Sequence, residues 1–307
     1  MNPKLLFFVT IVHLCSSAFA QDKKEWVTIN GHRTFIRTLG RGEPLLIIHG
    51  GPGLNQTYFH PHLNGLSKKN KLVFYDQRAS GESAIPSNDS LRFSFLADDI
   101  ESLRLWLGVE KINILAHSWG ALVAVSYAKE YPSRIGKMIL SNPVPLSKEY
   151  DQAMQKTQQS RFTSSDSTDR SIIMGSPDFK GGKAEAYQRL MMYTFRHSFH
   201  NPKNFQSLFL TLPSNFAKAT GSLYRGMGAD LQAYDWYRDV SGFTFPMLLI
   251  HGKHDAIPLA SINRIQERAK LSHLLIFEDS DHFPFIEERK KFIREVATFL
   301  NSHIQHE

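Results

Sequence analysis

Lys111 to Tyr127, KINILAHSWGALVAVSY, is the stretch on which the fold turns. Lys111 to Leu115 is short and rich in β-branched residues, as a fully buried strand is, and Ala121 to Tyr127 reads as the start of a helix packed on a sheet. Between them stands Ala116-His117-Ser118-Trp119-Gly120, a small-x-Ser-x-Gly turn. A strand turning sharply into a helix here strains the serine's backbone, exposes its hydroxyl at the sheet's carboxyl edge, and aims helix N-terminal amides at whatever it attacks. The pentapeptide alone fits an ordinary strand-to-helix turn with Ser118 as N-cap equally well. The distinction rests on whether the chain supplies a base, an orienting acid and an oxyanion hole at compatible places.

Working outward, Trp26 to Leu39 has the pattern of a β-hairpin, with Asn30-Gly31 as the two-residue turn that accepts positive φ at both positions. Pro44 to Ile48 is an apolar strand ending in His49-Gly50-Gly51-Pro52-Gly53, and Lys71 to Tyr75 is another, ending in Asp76-Gln77-Arg78-Ala79-Ser80-Gly81-Glu82-Ser83. Ser94 is placed to cap a helix through Leu107, with Leu96, Ile100, Leu103 and Leu107 on one face. Pro132 stops the helix that follows Ser118, and Lys137 to Leu140 is a further strand. This alternation predicts an α/β protein with a mostly parallel central sheet flanked by helices. From about Val144 to Gly242 the β signal vanishes: a Gln/Ser/Asp-rich run lies around Asp151 to Asp169, and aromatic-rich helical stretches are expected at Tyr187 to Phe199, Phe205 to Leu210 and Leu231 to Tyr237. Such a segment between sheet strands reads as an inserted helical cap. The pattern resumes with strands at Pro246 to Ile250 and His273 to Phe277, a helix at Ser261 to Ala269, and a closing helix with Phe285, Phe292, Val296 and Phe299 on its apolar face. The expected organisation is a leader at 1–20, core at 21–143, cap at 144–243 and core at 244–307.

The leader is a targeting segment. Lys4 gives a basic start, Leu5 to Leu14 is apolar apart from Thr10 and His13, and Ala18-Phe19-Ala20 offers a small-x-small cleavage site before Gln21. The run is shorter than the roughly 20 residues of a spanning helix, so export with cleavage and no stable membrane insertion is expected. Cys15 is the only cysteine. It lies inside the leader, so a mature chain would lack thiols and disulfides, and Leu14, large where a small residue is usual, argues against lipidation. Hydrophobic content of 42% and charged content of 21% are ordinary for a globular protein. The formal charge of +7 comes from small scattered groups such as Lys23-Lys24 and Arg289-Lys290-Lys291, not from a basic stripe with interleaved aromatics. This excludes nucleic acid as an expected partner.

A serine hydroxyl needs a base to take its proton, an acid to hold that base, and donors for the developing oxyanion. Asp255 follows the predicted strand that ends at Ile250, and His282 follows the next, so both fall at the same sheet edge as Ser118. Chain order is Ser, Asp, His. Asp281 is a rival orienting acid, although its adjacency to His282 makes the required bond awkward. His60-Pro61-His62, and His251 with His254, lack a third ligand at regular spacing, so no metal and no other cofactor is expected. Asp76 and His49 read as scaffold for their loops.

These motifs resemble those of the α/β-hydrolase superfamily, and within it the prolyl aminopeptidase (proline iminopeptidase) group of serine peptidases. His49-Gly50-Gly51-Pro52-Gly53 is similar to that group's HGGPG, Asp76 to Ser83 to its DQRGxGxS, and His117-Ser118-Trp119-Gly120 to its GHSWG. Ala79 and Ala116 stand where the family pattern has glycine. The resemblance implies an α/β-hydrolase fold, Ser118 as nucleophile, His282 as general base and then acid, Asp255 as the carboxylate that fixes the imidazole, and the Gly51 and Trp119 amides as oxyanion donors.

The resemblance further implies release of an N-terminal proline from small peptides. An apolar slot and an amine-binding carboxylate are then needed from the cap. Trp119 beside the nucleophile, with Tyr193, Phe195, Phe199, Tyr224, Trp236 and Tyr237, supplies aromatic candidates. Carboxylates are scarcer: Glu149 and Glu185 are the cap's glutamates, neither in a context matching the family's, and Asp230, Asp235 and Asp239 have shorter reach. Three readings stay open: an exported aminopeptidase acting on N-terminal proline or another small apolar residue, a carboxylic-ester hydrolase with the same triad, and a non-catalytic ligand-binding member. The substrate is accordingly a small peptide or ester, and the sequence leaves oligomeric state open. If the leader is cleaved as expected, the amino terminus of the exported protein is Gln21; Edman or mass-spectrometric detection of an intact Met1 terminus outside the cell would disprove it.

Overall fold

The computed structural model describes residues 22–302; the expected leader, with Cys15, lies outside the described residues. Eight strands are present among them: β1 (Asp22–Ile29), β2 (His32–Leu39), β3 (Glu43–Ile48), β4 (Asn70–Tyr75), β5 (Ile112–His117), β6 (Ile135–Ser141), β7 (Met247–Gly252) and β8 (Ser272–Phe277). They form one sheet in the order β1-β2-β4-β3-β5-β6-β7-β8. β2 pairs antiparallel with β1 and β4, and every pair from β4 through β3 to β8 is parallel. Asn30 (φ 47°) and Gly31 (φ 76°) turn the first hairpin in the left-handed region, as their residue types predict.

The parallel strands are apolar throughout because both faces are covered. Leu46, Ile48, Val73, Tyr75, Ile114, Ala116, Met138, Leu140 and Leu249 point into one core. Their neighbours Leu45, Ile47, Leu72, Phe74, Leu115, Ile139, Leu248 and Ile250 point into the other. The helices are α1 (Phe93–Leu107), α2 (Gly120–Glu130), α3 (Asp151–Ser160), α4 (Ser164–Gly175), α5 (Pro177–Lys180), α6 (Ala184–Phe195), α7 (Phe216–Gly226), α8 (Gly228–Gln232), α9 (Leu259–Arg268), α10 (Pro284–Glu287) and α11 (Arg289–Asn301). α1, α2 and α9 fill the first core through residues such as Leu96, Ile100, Leu103, Leu122, Ile262 and Ile265. α11 fills the second through Phe292 and Val296.

Some local expectations change. α1 begins at Phe93, not after Ser94, and the Phe93 amide donates to Asp230 Oδ2 at 2.8 Å. Tertiary contact thus replaces a local cap. The polar run from Asp151 folds as α3 and the first part of α4, which opens on a capping box between Thr163 and Asp166. Phe205 to Leu210 is not a helix: Pro202 starts a 3₁₀ turn over Pro202–Ser207, and extended chain follows. Leu231 to Tyr237 is likewise mostly non-helical, because α8 ends at Gln232 and Asp235 pairs with Ser147 as an isolated bridge. α6 stops at Phe195, short of Phe199. Apart from α1, these segments lie between β6 and β7. No described helix is long and apolar enough to cross a membrane.

The chain reverses its direction of travel across the sheet at β3, so the loops after β3 and β5 flank a topological switch point at the carboxyl edge. The loops after β6, β7 and β8 reach the same edge. They are packed without slack: a Cβ on Gly252, the last residue of β7, would stand 1.9 Å from the Asp281 carbonyl oxygen and 2.7 Å from that of Ser280. Gly252→Ala therefore forces backbone from the β8 loop aside. Urea unfolding should register a loss of at least about 2 kcal/mol; an unchanged midpoint would contradict the packing described.

Candidate active site

Ser118 sits at the tip of the β5–α2 turn with φ 55°. A left-handed non-glycine residue costs roughly 1–2 kcal/mol, so its surroundings must impose it. The Ser118 amide donates to the Ser141 carbonyl (3.0 Å), and the Ser118 carbonyl accepts from the Ala121 amide (3.0 Å). Two glycines make the turn possible. A Cβ on Gly50 would lie 2.8 Å from Ser118 Cβ, and one on Gly120 would lie 2.6 Å and 2.7 Å from the Ile48 and His49 carbonyl oxygens. Only Cβ-free residues let the end of β3 and the start of α2 approach this closely. Ala79, in place of the family glycine, adopts φ 54°, and its amide donates to the Ala84 carbonyl (2.9 Å). Ala116 is buried inside β5. Both alanines are accommodated without disrupting the loop or the elbow.

The structure brings Ser118, His282 and Asp255 together. His282 Nδ1 lies 2.9 Å from Asp255 Oδ2, and His282 Nε2 lies 3.0 Å from Ser118 Oγ. Because an ionised carboxylate can only accept, Nδ1 carries the proton and Nε2 presents its lone pair to the serine hydroxyl. Asp255 Oδ2 also accepts from Asn142 Nδ2 (2.7 Å), and Oδ1 accepts from the Ile257 amide (3.1 Å). Burial pushes the Asp255 carboxyl up, but the His282 imidazole, by charge and hydrogen bond, outweighs this and holds it well below the usual carboxylate range. Burial pushes His282 down, and the Asp255 carboxylate reverses that, leaving the imidazole above the ordinary histidine value. Asp281, the rival acid, does not reach the ring: its Oδ2 accepts from Arg161 Nη1 at 2.7 Å. Burial, and then the nearby Asp255 charge, push the Asp281 carboxyl up to about 7.

Gly51 adopts φ 56° in the loop after β3, and Trp119 stands at the N-terminus of α2. Among the described residues neither amide is taken by an intraprotein hydrogen bond. A second polar chain braces this loop against His282. The Gly50 amide donates to Tyr58 Oη, Tyr58 O–H donates to His117 Nδ1 (3.0 Å), and His117 Nε2–H donates to the His282 carbonyl (2.9 Å). Burial, and next the His282 charge, lower His117 to about 3, keeping it neutral in that role. His49 ties the loop after β3 to the loop after β4: its Nε2 accepts from the Gln77 amide (3.1 Å). Asp76 accepts from the Glu82 amide within its own loop and from the Gln56 amide in the segment after β3, so it joins two loops and does not serve its own alone. Among the described residues no group of three or more His, Cys, Asp or Glu side chains could hold a metal ion.

A cavity of about 360 Å³ of atom-free space, open at its mouth, lies over Ser118. Leu54, Tyr58, Phe195, Leu208, Leu210 and Phe283 wall it, together with Gly50, Gly51, His117 and His282, and among the described residues no carboxylate lines it. Phe195 is thus the one cap aromatic of those expected there that reaches the cavity. Trp119 turns its indole away onto Phe93 (5.4 Å between rings), and Trp236 packs on the same Phe93 at 4.7 Å. Tyr237 is core, with its hydroxyl donating to the Ser261 carbonyl. Asp235 accepts from the Tyr237 amide in its own turn. Glu185 and Tyr193 line a separate cleft with Arg189 and Arg196. Phe199 stacks on Phe283 (4.9 Å), and Tyr224 is exposed. Amphipathic spacing places Phe195, Phe199, Trp236 and Tyr237 on apolar faces without saying which of two they serve, and it misleads for Tyr224, which is exposed, and Tyr193, which lies beside arginines. Asn142, Tyr58 and His117 escaped the sequence reading. Asn142 directly follows β6, a strand-end position that was available as a signal.

The family model for the alpha/beta hydrolase fold matches residues 43–289, and the chain belongs to that family. Within it the chain is similar to a proline iminopeptidase of Clostridium botulinum, 25% identical over 287 residues covering 89% of this chain and 96% of the relative. Among solved structures, a proline iminopeptidase of Mycobacterium smegmatis superposes with TM-score 0.67 at 19% identity, covering 91% of this chain and 97% of its own. An alpha/beta fold family hydrolase from Bacillus anthracis gives TM-score 0.73 at 19% identity, covering 90% and 98%.

The electrostatics of the site make a direct prediction. His282 should titrate above the ordinary histidine pKa in an NMR pH titration, because Asp255 favours its cation. In Asp255→Asn the two largest raising influences are gone while burial, the largest of all, still lowers the pKa, so the His282 midpoint should fall. A midpoint that does not move would remove Asp255 as the partner.

Proposed function

We propose that the chain is a serine hydrolase in which Ser118 is the nucleophile, His282 the general base and then acid, and Asp255 the carboxylate that orients and stabilises the imidazolium. The observation that carries this reading is the continuous hydrogen-bonded line from Ser118 Oγ through His282 to Asp255. His282 Nε2 takes the hydroxyl proton as Oγ bonds to the substrate carbonyl carbon, and the carbonyl electron pair moves onto oxygen between the Gly51 and Trp119 amides. Collapse expels the leaving group, which takes the proton back from His282. Water, deprotonated by the same imidazole, then releases the acid and restores Ser118.

The acyl group that fits is compact and apolar, because the walls are Leu54, Leu208, Leu210, Phe195 and Phe283. The similarity to proline iminopeptidases favours an aminopeptidase that releases N-terminal proline or another small apolar residue, after export. The absence of a carboxylate among the lining residues favours a second reading, a carboxylic-ester hydrolase with the same triad, since a buried ammonium needs a partner.

A fluorophosphonate should modify Ser118 in the wild type and leave Ser118→Ala unmodified; an unlabelled wild type would sink the serine-hydrolase reading. Prolyl and alanyl aryl-amides, free and N-acetylated, beside short acyl esters then separate the two substrate classes. Turnover of free amides lost on acetylation identifies amine recognition, whereas ester cleavage without amide turnover identifies the esterase. The acid limb of kcat/KM should lie above the ordinary histidine pKa, because His282 must be neutral to accept the proton.

A further inference from the structure

Arg161 lies at the C-terminal cap of α3, in the segment inserted between β6 and β7, and no role has yet been given to it. Its guanidinium grips three acceptors at once. Nη1 donates to Asp281 Oδ2 (2.7 Å) and to the His197 carbonyl (2.9 Å), and Nη2 donates to the His254 carbonyl. Asp281 and His254 are the residues immediately before His282 and Asp255. We propose that Arg161 is a positioning residue for the acid–base pair, locking the loops after β7 and β8 into one frame from the inserted segment. This rests on the serine-hydrolase reading above.

The neighbouring bonds join the same two loops and the same inserted segment. His254 N–H donates to the Ser280 carbonyl (3.1 Å), and Asn142 Nδ2 reaches both Asp255 Oδ2 and the Asp281 carbonyl (3.0 Å). The His282 amide donates to the Ser198 carbonyl (3.2 Å), one residue past the His197 carbonyl that Arg161 holds. The inserted segment therefore grips the base loop at two adjacent points. The Arg161 side chain is 22% exposed and that of Asp281 5%. Loss of the guanidinium would leave a nearly buried carboxylate with its second oxygen, Oδ1, also unpartnered. Only a planar fork with five N–H donors serves a carboxylate and two carbonyls that diverge in this way; a lysine ammonium supplies the charge without the fork. Displacing reacting groups by about 1 Å costs about 100-fold in rate, so a frame of this kind acts on the chemical step and not on binding.

The test measures fluorophosphonate modification of the full chain, resolved into kinact and KI, for wild type, Arg161→Gln and Arg161→Lys, with thermal unfolding alongside. The expected result is a folded Arg161→Gln whose kinact falls about 10- to 100-fold with KI within about threefold, and an Arg161→Lys that recovers only part of the loss. An unchanged kinact in Arg161→Gln, or a loss confined to KI, overturns the proposal. Full recovery in Arg161→Lys assigns the effect to charge alone and also overturns it. Should Arg161→Gln fail to fold, Arg161→Lys carries the same test, and wild-type kinact in it overturns the role. Failure of the underlying reading looks different: the wild type itself is then unmodified at Ser118.

Discussion

Everything at this site depends on how closely two parallel strands, β3 and β5, bring their departing loops together. The loops leave the sheet at neighbouring positions, one turning into the glycine-rich run after Ile48 and the other into the Ser118 elbow. Gly50 and Gly120 lie where any Cβ would collide with Ser118 Cβ or with the carbonyls ending β3. The same contact that strains Ser118 also brings together the loops that carry the Gly51 and Trp119 amides, neither of which is taken by a hydrogen bond among the described residues. Strain and donor placement are one geometric fact. A parallel sheet supplies the rest, because strands that run the same way deliver Asn142, Asp255 and His282 to the same edge.

Burying this much charge is tolerable only where each group is matched. Asp255 accepts from His282, Asn142 and the Ile257 amide, and it remains ionised although fully enclosed. Arg78 and Asp99 repeat the arrangement away from the site: both are buried, with two guanidinium nitrogens on the two carboxylate oxygens. Asp281 is the contrast. It has one strong partner in Arg161 and one oxygen with none, and its carboxyl is pushed up to about 7, burial contributing first. Asp255, 27 residues from His282, meets the ring, whereas Asp281, its chain neighbour, turns to Arg161.

The elements of the core were legible because their signals are local. β-branched runs, Asn30-Gly31 and the small-x-Ser-x-Gly turn each report on a few consecutive residues. The strand-end positions of Ser118, Asp255 and His282 follow from those runs, since a strand's carboxyl end is fixed once the strand is. The segment between β6 and β7 resisted for the opposite reason. Its aromatics face either the α1–α2 side, as Trp236 and Tyr237 do, or the serine's cavity, as Phe195 does, and one sequence period describes both. The start of α1 shows the same limit, because the acceptor for its Phe93 amide belongs to Asp230, 137 positions away. Asn142, Tyr58 and Arg161 act through single side chains whose acceptors are distant in sequence, half of them backbone carbonyls, so beyond the strand-end place of Asn142 no local pattern marks them.

The end of α6 shows how recognition and geometry are joined in this molecule. Phe195 walls the cavity, the His197 carbonyl accepts from Arg161, the Ser198 carbonyl accepts from the His282 amide, and Phe199 stacks on Phe283. Those four residues fall within a single turn-length of chain, and the last three bear on the residues flanking the imidazole. A side chain that presses on Phe195 therefore presses on the mounting of His282. The inserted segment is not a cover added to a finished site. It is one of the walls against which the imidazole is held, so changes that reshape the cavity at α6 should not be separable from changes in the placement of that ring.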